Sequence, residues 1–260
     1  MPDKSLGQHW LFDDVSLEAV VDGSGLVRGD MVLEVGPGLG TLTDRLLQRG
    51  ATVTAVEFDP KLAKELAVTF EGYIIEHQLT LVHDDILRYD LSKLPAGYRV
   101  AANIPYYLTS NLIRTFCESV NPPKQMSLLV QKEVAERVAA KPGQLSLLSV
   151  SAQLYYEPSL GPVVEAELFT PPPKVDSQVL ILKRRQTPLF PDLDEAKFFA
   201  LVKAGFSERR KKLRSSLSGG LRIDKNDVAT ICSKAGIDPN LRAQALSLEQ
   251  WYVLYKAFSE

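Results

Sequence analysis

The stretch Met31-Val32-Leu33-Glu34-Val35-Gly36-Pro37-Gly38-Leu39-Gly40 restricts the fold of this chain more than any other. A short apolar run passes directly into three glycines separated by single residues. Thr41 to Arg49 then carries Leu42, Leu46 and Leu47 at helical spacing, up to Gly50. A strand that turns tightly into a helix opens a strand–helix–strand unit, and the glycines give the turn its freedom and let backbone approach a ligand closely. The rhythm repeats: Thr52–Glu57 reads as a strand, Pro60–Phe70 as a helix with Leu62, Leu66 and Phe70 on one face, Leu79–Val82 as a third strand and Arg99–Ala102 as a fourth. Such alternation predicts an α/β domain whose mostly parallel sheet binds ligands beyond the carboxyl ends of its strands.

Further strands are expected at Met126–Gln131 and Val179–Leu182, and helices at Leu112–Cys117 and Glu133–Ala139. Past Arg185 the texture changes. Thr187-Pro188-Leu189-Phe190-Pro191-Asp192 breaks the periodicity, and from Asp194 the chain reads as about four helices, Phe198–Phe206 and Trp251–Phe258 among them. With 260 residues to distribute, this predicts a sheet domain over 1–186 and a small all-helical domain over 187–260.

The absence of a long apolar run argues against a membrane span. The first residues lack the basic-then-apolar order of a secretion signal, so a cytoplasmic location is expected. Cys117 and Cys232 read as reduced thiols, and His9, His77 and His83 have no metal-ligand spacing, so no metal is expected. A net charge of −2 leaves any nucleic-acid affinity to local patches.

The glycine spacing departs from a dinucleotide fingerprint. Gly40 comes one residue early and Thr41 stands where the third glycine is needed, which favours a ligand without a pyrophosphate and disfavours a nicotinamide-dependent oxidoreductase. Glu57 ends the second strand, 21 residues after Gly36, where a carboxylate can accept from both hydroxyls of a ribose. Asp85 follows the third strand, placed to accept from an adenine amine. Asn103-Ile104-Pro105-Tyr106 follows the fourth, and its chemistry suits an acceptor amine. The lone pair of an adenine amine is delocalised into the ring until fixed acceptors hold its hydrogens. The Asn103 side-chain oxygen and the Ile104 carbonyl supply two acceptors, Pro105 stiffens the loop and Tyr106 offers a stacking face. Transfer of a methyl group to that nitrogen is then governed by positioning and electrostatics, with no metal or strong base required.

Taken with Lys4-Ser5-Leu6-Gly7-Gln8, Gln131-Lys132-Glu133-Val134 and Phe169-Thr170-Pro171-Pro172-Pro173-Lys174-Val175-Asp176-Ser177, these motifs resemble the ribosomal RNA adenine N6,N6-dimethyltransferase family, in its small-subunit branch. The resemblance spans nearly the whole chain and implies a Rossmann-like class I methyltransferase fold, S-adenosylmethionine as cofactor and small-subunit ribosomal RNA, free or in a pre-small subunit, as partner of a monomeric enzyme. It implies that His9 and Leu11 contact the methionyl end of the cofactor, that Gly36 and Gly38 approach it closely, that Glu57 takes its ribose and Asp85 its adenine. It implies too that Asn103 both contacts the cofactor and faces the target amine, and that Tyr106 and Phe169 sandwich the target base. Three departures stand out: His9 where the family usually has Asn, Asp84 in place of a common Gly, and a shortened connection at Lys141-Pro142-Gly143-Gln144-Leu145.

The densest charge run, Arg209, Arg210, Lys211, Lys212 and Arg214, lies in the helical part and is expected to contact RNA phosphates. Two rivals remain. One is a large-subunit methyltransferase of the antibiotic-resistance type, which shares the cofactor loop and the Asn-x-Pro-Tyr centre. The other is a non-catalytic ribosome-assembly or transcription factor on the same fold.

Overall fold

The computed structural model describes residues 8–259, so Lys4 to Gly7 of the N-terminal motif lie outside the described residues. The chain divides into two units. Unit 1 holds residues up to Glu136 together with Tyr156–Arg184, and unit 2 holds Arg137–Tyr155 with the chain from Arg185 onward.

Unit 1 is built on β2 (Met31–Val35), β3 (Thr52–Glu57), β4 (Leu79–His83), β5 (Arg99–Asn103), β6 (Gln125–Gln131), β7 (Tyr156–Val164) and β9 (Ser177–Arg184), in the spatial order β4-β3-β2-β5-β6-β9-β7. The five strands from β4 to β6 run parallel, and β9 and β7 join antiparallel. Parallel strands covered on both faces have no solvent side, which is why β2, β3 and β5 are buried residue after residue, with Val32, Val53 and Val100 fully buried. The order reverses at β2, so the loops after β2, β3 and β5 open into one crevice at the switch point.

The helices of this unit cover the sheet: α1 (Asp14–Gly23), α2 (Thr41–Gln48), α3 (Pro60–Thr69), α4 (Glu71–Ile75), α5 (Thr109–Glu118) and α6 (Lys132–Val138), whose last turn runs into unit 2. Asp13 starts α1, its carboxylate accepting from Ser16 N at 2.8 Å, and Leu17, Val20 and Val21 bury against the sheet. A two-residue strand β1 (Trp10–Leu11) pairs antiparallel with β8 (Phe169–Thr170).

Unit 2 packs α7 (Leu147–Tyr155), α8 (Glu195–Phe206), α9 (Leu213–Leu221), α10 (Lys225–Lys234) and α11 (Leu248–Ser259) around Trp251, Phe198, Leu213 and Val228, all fully buried. Here the structure departs from a sheet domain of 1–186. Residues 137–155 belong to the helical core, because Leu145, Val150 and Leu154 pack into it and the loop before α7 is tied to its far end, Gly143 N and Leu145 N both donating to Gln244 O. The shortened 141–145 connection is therefore part of the helical unit. Among the described residues no helix is long and apolar enough to cross a membrane.

Candidate active site

The loop after β2 is held open by its own backbone. Gly36, Gly38 and Gly40 all have positive φ, at 64°, 60° and 82°, a region that a Cβ makes costly. They differ in surroundings. A Cβ at Gly36 would meet no atom within 4 Å, whereas one at Gly40 would lie 2.4 Å from the Phe70 ring. The first glycine thus faces open space and the third allows α2 to start hard against α3.

Glu57 ties this loop to the end of β3. Its Oε2 accepts from Gly38 N at 3.0 Å and its Oε1 from Asp59 N at 2.8 Å, and each oxygen keeps a further lone pair for a ligand hydroxyl. Burial pushes the Glu57 carboxyl up, and the two backbone donors oppose that shift. Asp85 sits after β4, half-buried, with Oδ1 accepting from Leu87 N at 3.0 Å. Its neighbour Asp84 accepts from the Asp85 amide at 2.7 Å. The loop after β5 supplies the reacting side. Asn103 Nδ2 donates to the backbone carbonyl of His9 at 3.3 Å, and Tyr106 is joined to Ser177 Oγ through its hydroxyl at 2.9 Å. Burial is the main reason the Tyr106 phenol titrates above its ordinary range.

These loops enclose a cavity of about 320 Å³. Gly36, Gly38, Glu57 and Asp85 line one side, Asn103 to Tyr106 another, and His9 and Leu11 close it from the N-terminal segment. Leu11 is 2% exposed and accepts from Thr41 Oγ1 through its carbonyl at 3.1 Å, which fixes the segment to the start of α2.

Phe169 is not brought to this place. It is 2% exposed, packed in the core of unit 1 with its backbone opposite Leu11, and does not line the cavity. The ring that stacks on Tyr106 in this structure is His9. Most of the basic run lies at a turn. Residues 207–212 form the turn between α8 and α9, with Arg209 and Arg210 exposed. Lys211 pairs with Glu208, Lys212 Nζ reaches Asn240 Oδ1 at 3.1 Å, and Arg214 is half-buried in α9.

Two cavity residues escape a reading based on loop motifs. Trp10 has a buried indole N–H with no partner among the described residues. Glu34, an acid inside an otherwise apolar strand, is 1% exposed and has an unpartnered Oε2. Its isolation in that strand was the available signal. Burial pushes the Glu34 carboxyl up to about 8; Thr43 beside it opposes the shift and the charge of Glu57 adds to it. A carboxyl raised in the folded state stabilises the fold below its ordinary value near 4.5 and loses that contribution as pH rises through about 8. In urea unfolding Glu34→Gln is therefore expected to be about as stable as the unaltered protein at pH 5 and more stable at pH 8.5, by on the order of 3 to 5 kcal/mol. Parallel pH profiles of the two proteins would reject a buried neutral Glu34.

The residues present fit S-adenosylmethionine. A glycine loop without pyrophosphate spacing, a strand-end carboxylate able to accept from ribose hydroxyls and an acid able to accept from an adenine amine line one cavity. Among the described residues no cluster of three or more His, Cys, Asp or Glu is placed to hold a metal ion.

Residues 2–260 match the ribosomal RNA adenine dimethylase family. The chain is 42% identical to the ribosomal RNA small subunit methyltransferase A of Dehalococcoides mccartyi, over 95% of this chain and 85% of the relative. It is 38% identical to the protein of that name from Enterococcus faecalis, over 99% and 90%. Among solved structures it resembles the 23S rRNA methyltransferase ErmE, with a TM-score of 0.77, 27% identity and coverage of 96% of this chain and all of that one. A dimethyladenosine transferase from Plasmodium falciparum shares the fold with a TM-score of 0.80 at 22% identity, over 96% and 98%. With its fold, its loop motifs and nearly its whole length matched, this chain belongs to the ribosomal RNA adenine dimethylase family.

Proposed function

We propose that this protein dimethylates the N6 amine of adenines, two adjacent ones, in small-subunit ribosomal RNA during assembly of that subunit, with S-adenosylmethionine as methyl donor. One observation carries the chemistry. The His9 carbonyl can only accept, so the Asn103 amide must present Nδ2 to it, which leaves Oδ1 as a fixed acceptor at the cavity. An adenine amine that donates one hydrogen to Oδ1 and the other to the Ile104 carbonyl has its lone pair turned outward.

Tyr106 holds the base by stacking, its ring fixed through the Ser177 bond. Glu57 orients the ribose hydroxyls and Asp85 the adenine of the cofactor, which when bound supplies an activated methyl group. The alkylated nitrogen is acidic and loses its proton to water, so no side chain here has to act as a strong base.

The small-subunit assignment is supported by relatives at 38–42% identity that carry that name, against 27% for the large-subunit enzyme. On this reading the enzyme works as a monomer in the cytoplasm. The deciding experiment supplies labelled cofactor to small and large subunits that lack the modification. Label is expected in N6,N6-dimethyladenine of the small subunit, and label confined to the large subunit overturns the assignment.

The exposed turn at Arg209 and Arg210 is assigned to RNA phosphates. Changing both to Glu is expected to weaken small-subunit binding by about tenfold or more at 0.1 M salt with cofactor affinity intact. Equal subunit affinity at matched salt would remove the turn from the interface.

A further inference from the structure

The residue at position 9 touches both ends of the reacting loop, Asn103 and Tyr106, without belonging to it. Its carbonyl accepts from Asn103 Nδ2 at 3.3 Å. Its imidazole stacks on Tyr106, ring centroids 5.7 Å apart and planes 22° from parallel. Its Nδ1 lies 2.7 Å from the carbonyl oxygen of Pro171. The strand pairing explains this placement. Trp10 opposite Thr170 and Leu11 opposite Phe169 set an antiparallel register that brings residue 9 against residue 171. Proline has no N–H to extend that ladder, and the contact between the two residues is made by the His9 side chain with the Pro171 carbonyl.

A carbonyl oxygen only accepts, so Nδ1 carries the proton, and in the neutral ring Nε2 is left as the acceptor. The ring is therefore held in one tautomer and one plane, flat against Tyr106, whose other end is held by Ser177. From this we infer that His9 is a positioning residue for methyl transfer. It braces Tyr106 through its ring and Asn103 through its carbonyl, and is not chiefly a ligand of the cofactor. The inference rests on the function proposed above and adds to it where the target base is held: against a Tyr106 ring backed by His9.

A brace and a cofactor ligand predict opposite kinetic signatures. A misplaced stacking face lowers turnover, because reacting atoms tolerate little displacement, and leaves cofactor affinity unchanged. In the full-length protein His9→Ala is expected to lower kcat on unmodified small subunits by about tenfold or more, with the dissociation constant of S-adenosylmethionine unchanged in calorimetry. His9→Phe keeps the ring and loses the donor, and is expected to recover most of that loss. Nitrogen-15 NMR of the unaltered protein is expected to show His9 protonated on Nδ1, a readout that holds even where a variant folds poorly.

An unchanged kcat in His9→Ala, a loss confined to cofactor affinity, a Phe variant as slow as the Ala variant, or a proton on Nε2 alone would each overturn the bracing role. Failure of the unaltered protein to methylate either subunit would instead defeat the functional proposal, and the two failures are distinguishable.

Discussion

Replacing Asn103 by alanine is expected to lower methyl transfer to the small subunit by about 10²- to 10³-fold, the loss typical of removing one pre-oriented polar group from a reacting centre. Cofactor affinity should not change. The side chain ends β5, where its neighbours Ala101 and Ala102 are fully buried, so its own contribution is made at the half-buried tip that lines the cavity. The loss should fall on kcat, since the contact to the amine improves as the nitrogen becomes nucleophilic. Asn103→Asp is a useful companion, because it keeps an acceptor while turning a carboxylate toward the His9 carbonyl. Near-normal turnover by the alanine variant would refute the assignment of Oδ1 to the target amine.

A second large effect is expected from one added methyl group. Gly40→Ala places a side chain at φ 82°, which costs about 1–2 kcal/mol. It also places Cβ 2.4 Å from Phe70 and 2.9 Å from Leu66, and overpacking of this kind costs about 1–3 kcal/mol. Loss of stability by about 2–5 kcal/mol should appear as a lower urea midpoint, together with weaker cofactor binding because the displaced loop carries Gly38 and its bond to Glu57. Gly36→Ala, with comparable φ and open space around it, should show the backbone strain alone. Equal stability of the Gly40 and Gly36 variants would mean that α2 and α3 are not locked together at this point.

The strands that frame the cavity were legible because burial on both faces leaves short apolar stretches at their centres: Val32 and Leu33 in β2, Ala55 and Val56 in β3, and Val100 to Ala102 in β5. β7 was not. It contains Pro158, Gly161 and Pro162, residues that argue against a strand unless it lies at a sheet edge with an irregular register, and β7 is the edge strand, with a shift between Leu160 and Val163. The helix α1 was within reach, since Asp13 precedes Leu17, Val20 and Val21 at helical spacing, but no glycine motif draws attention to it. In the site, residues at strand ends could be read from position alone. Glu57 and Asn103 line the cavity for that reason. The placement of His9 over Tyr106 could not be read, because it depends on a two-residue ladder between segments 160 positions apart. The burial of Phe169 could not be read for the same cause: the ladder that brings its strand to Leu11 carries its ring into the core.

The helical unit takes its first helix, α7, from the middle of the sheet unit's sequence. A single cut near residue 186 would therefore yield a fragment that still carries Leu145, Val150 and Leu154 but lacks the core they fill, and a complementary fragment missing one of its own walls. Grafting the helical unit of one family member onto the sheet of another thus requires two exchanged segments, 137–155 and the chain from 185. During synthesis the ribosome delivers 137–155 before β7 and β9 have closed the sheet, so part of the second core must wait for its partners while the first is completed.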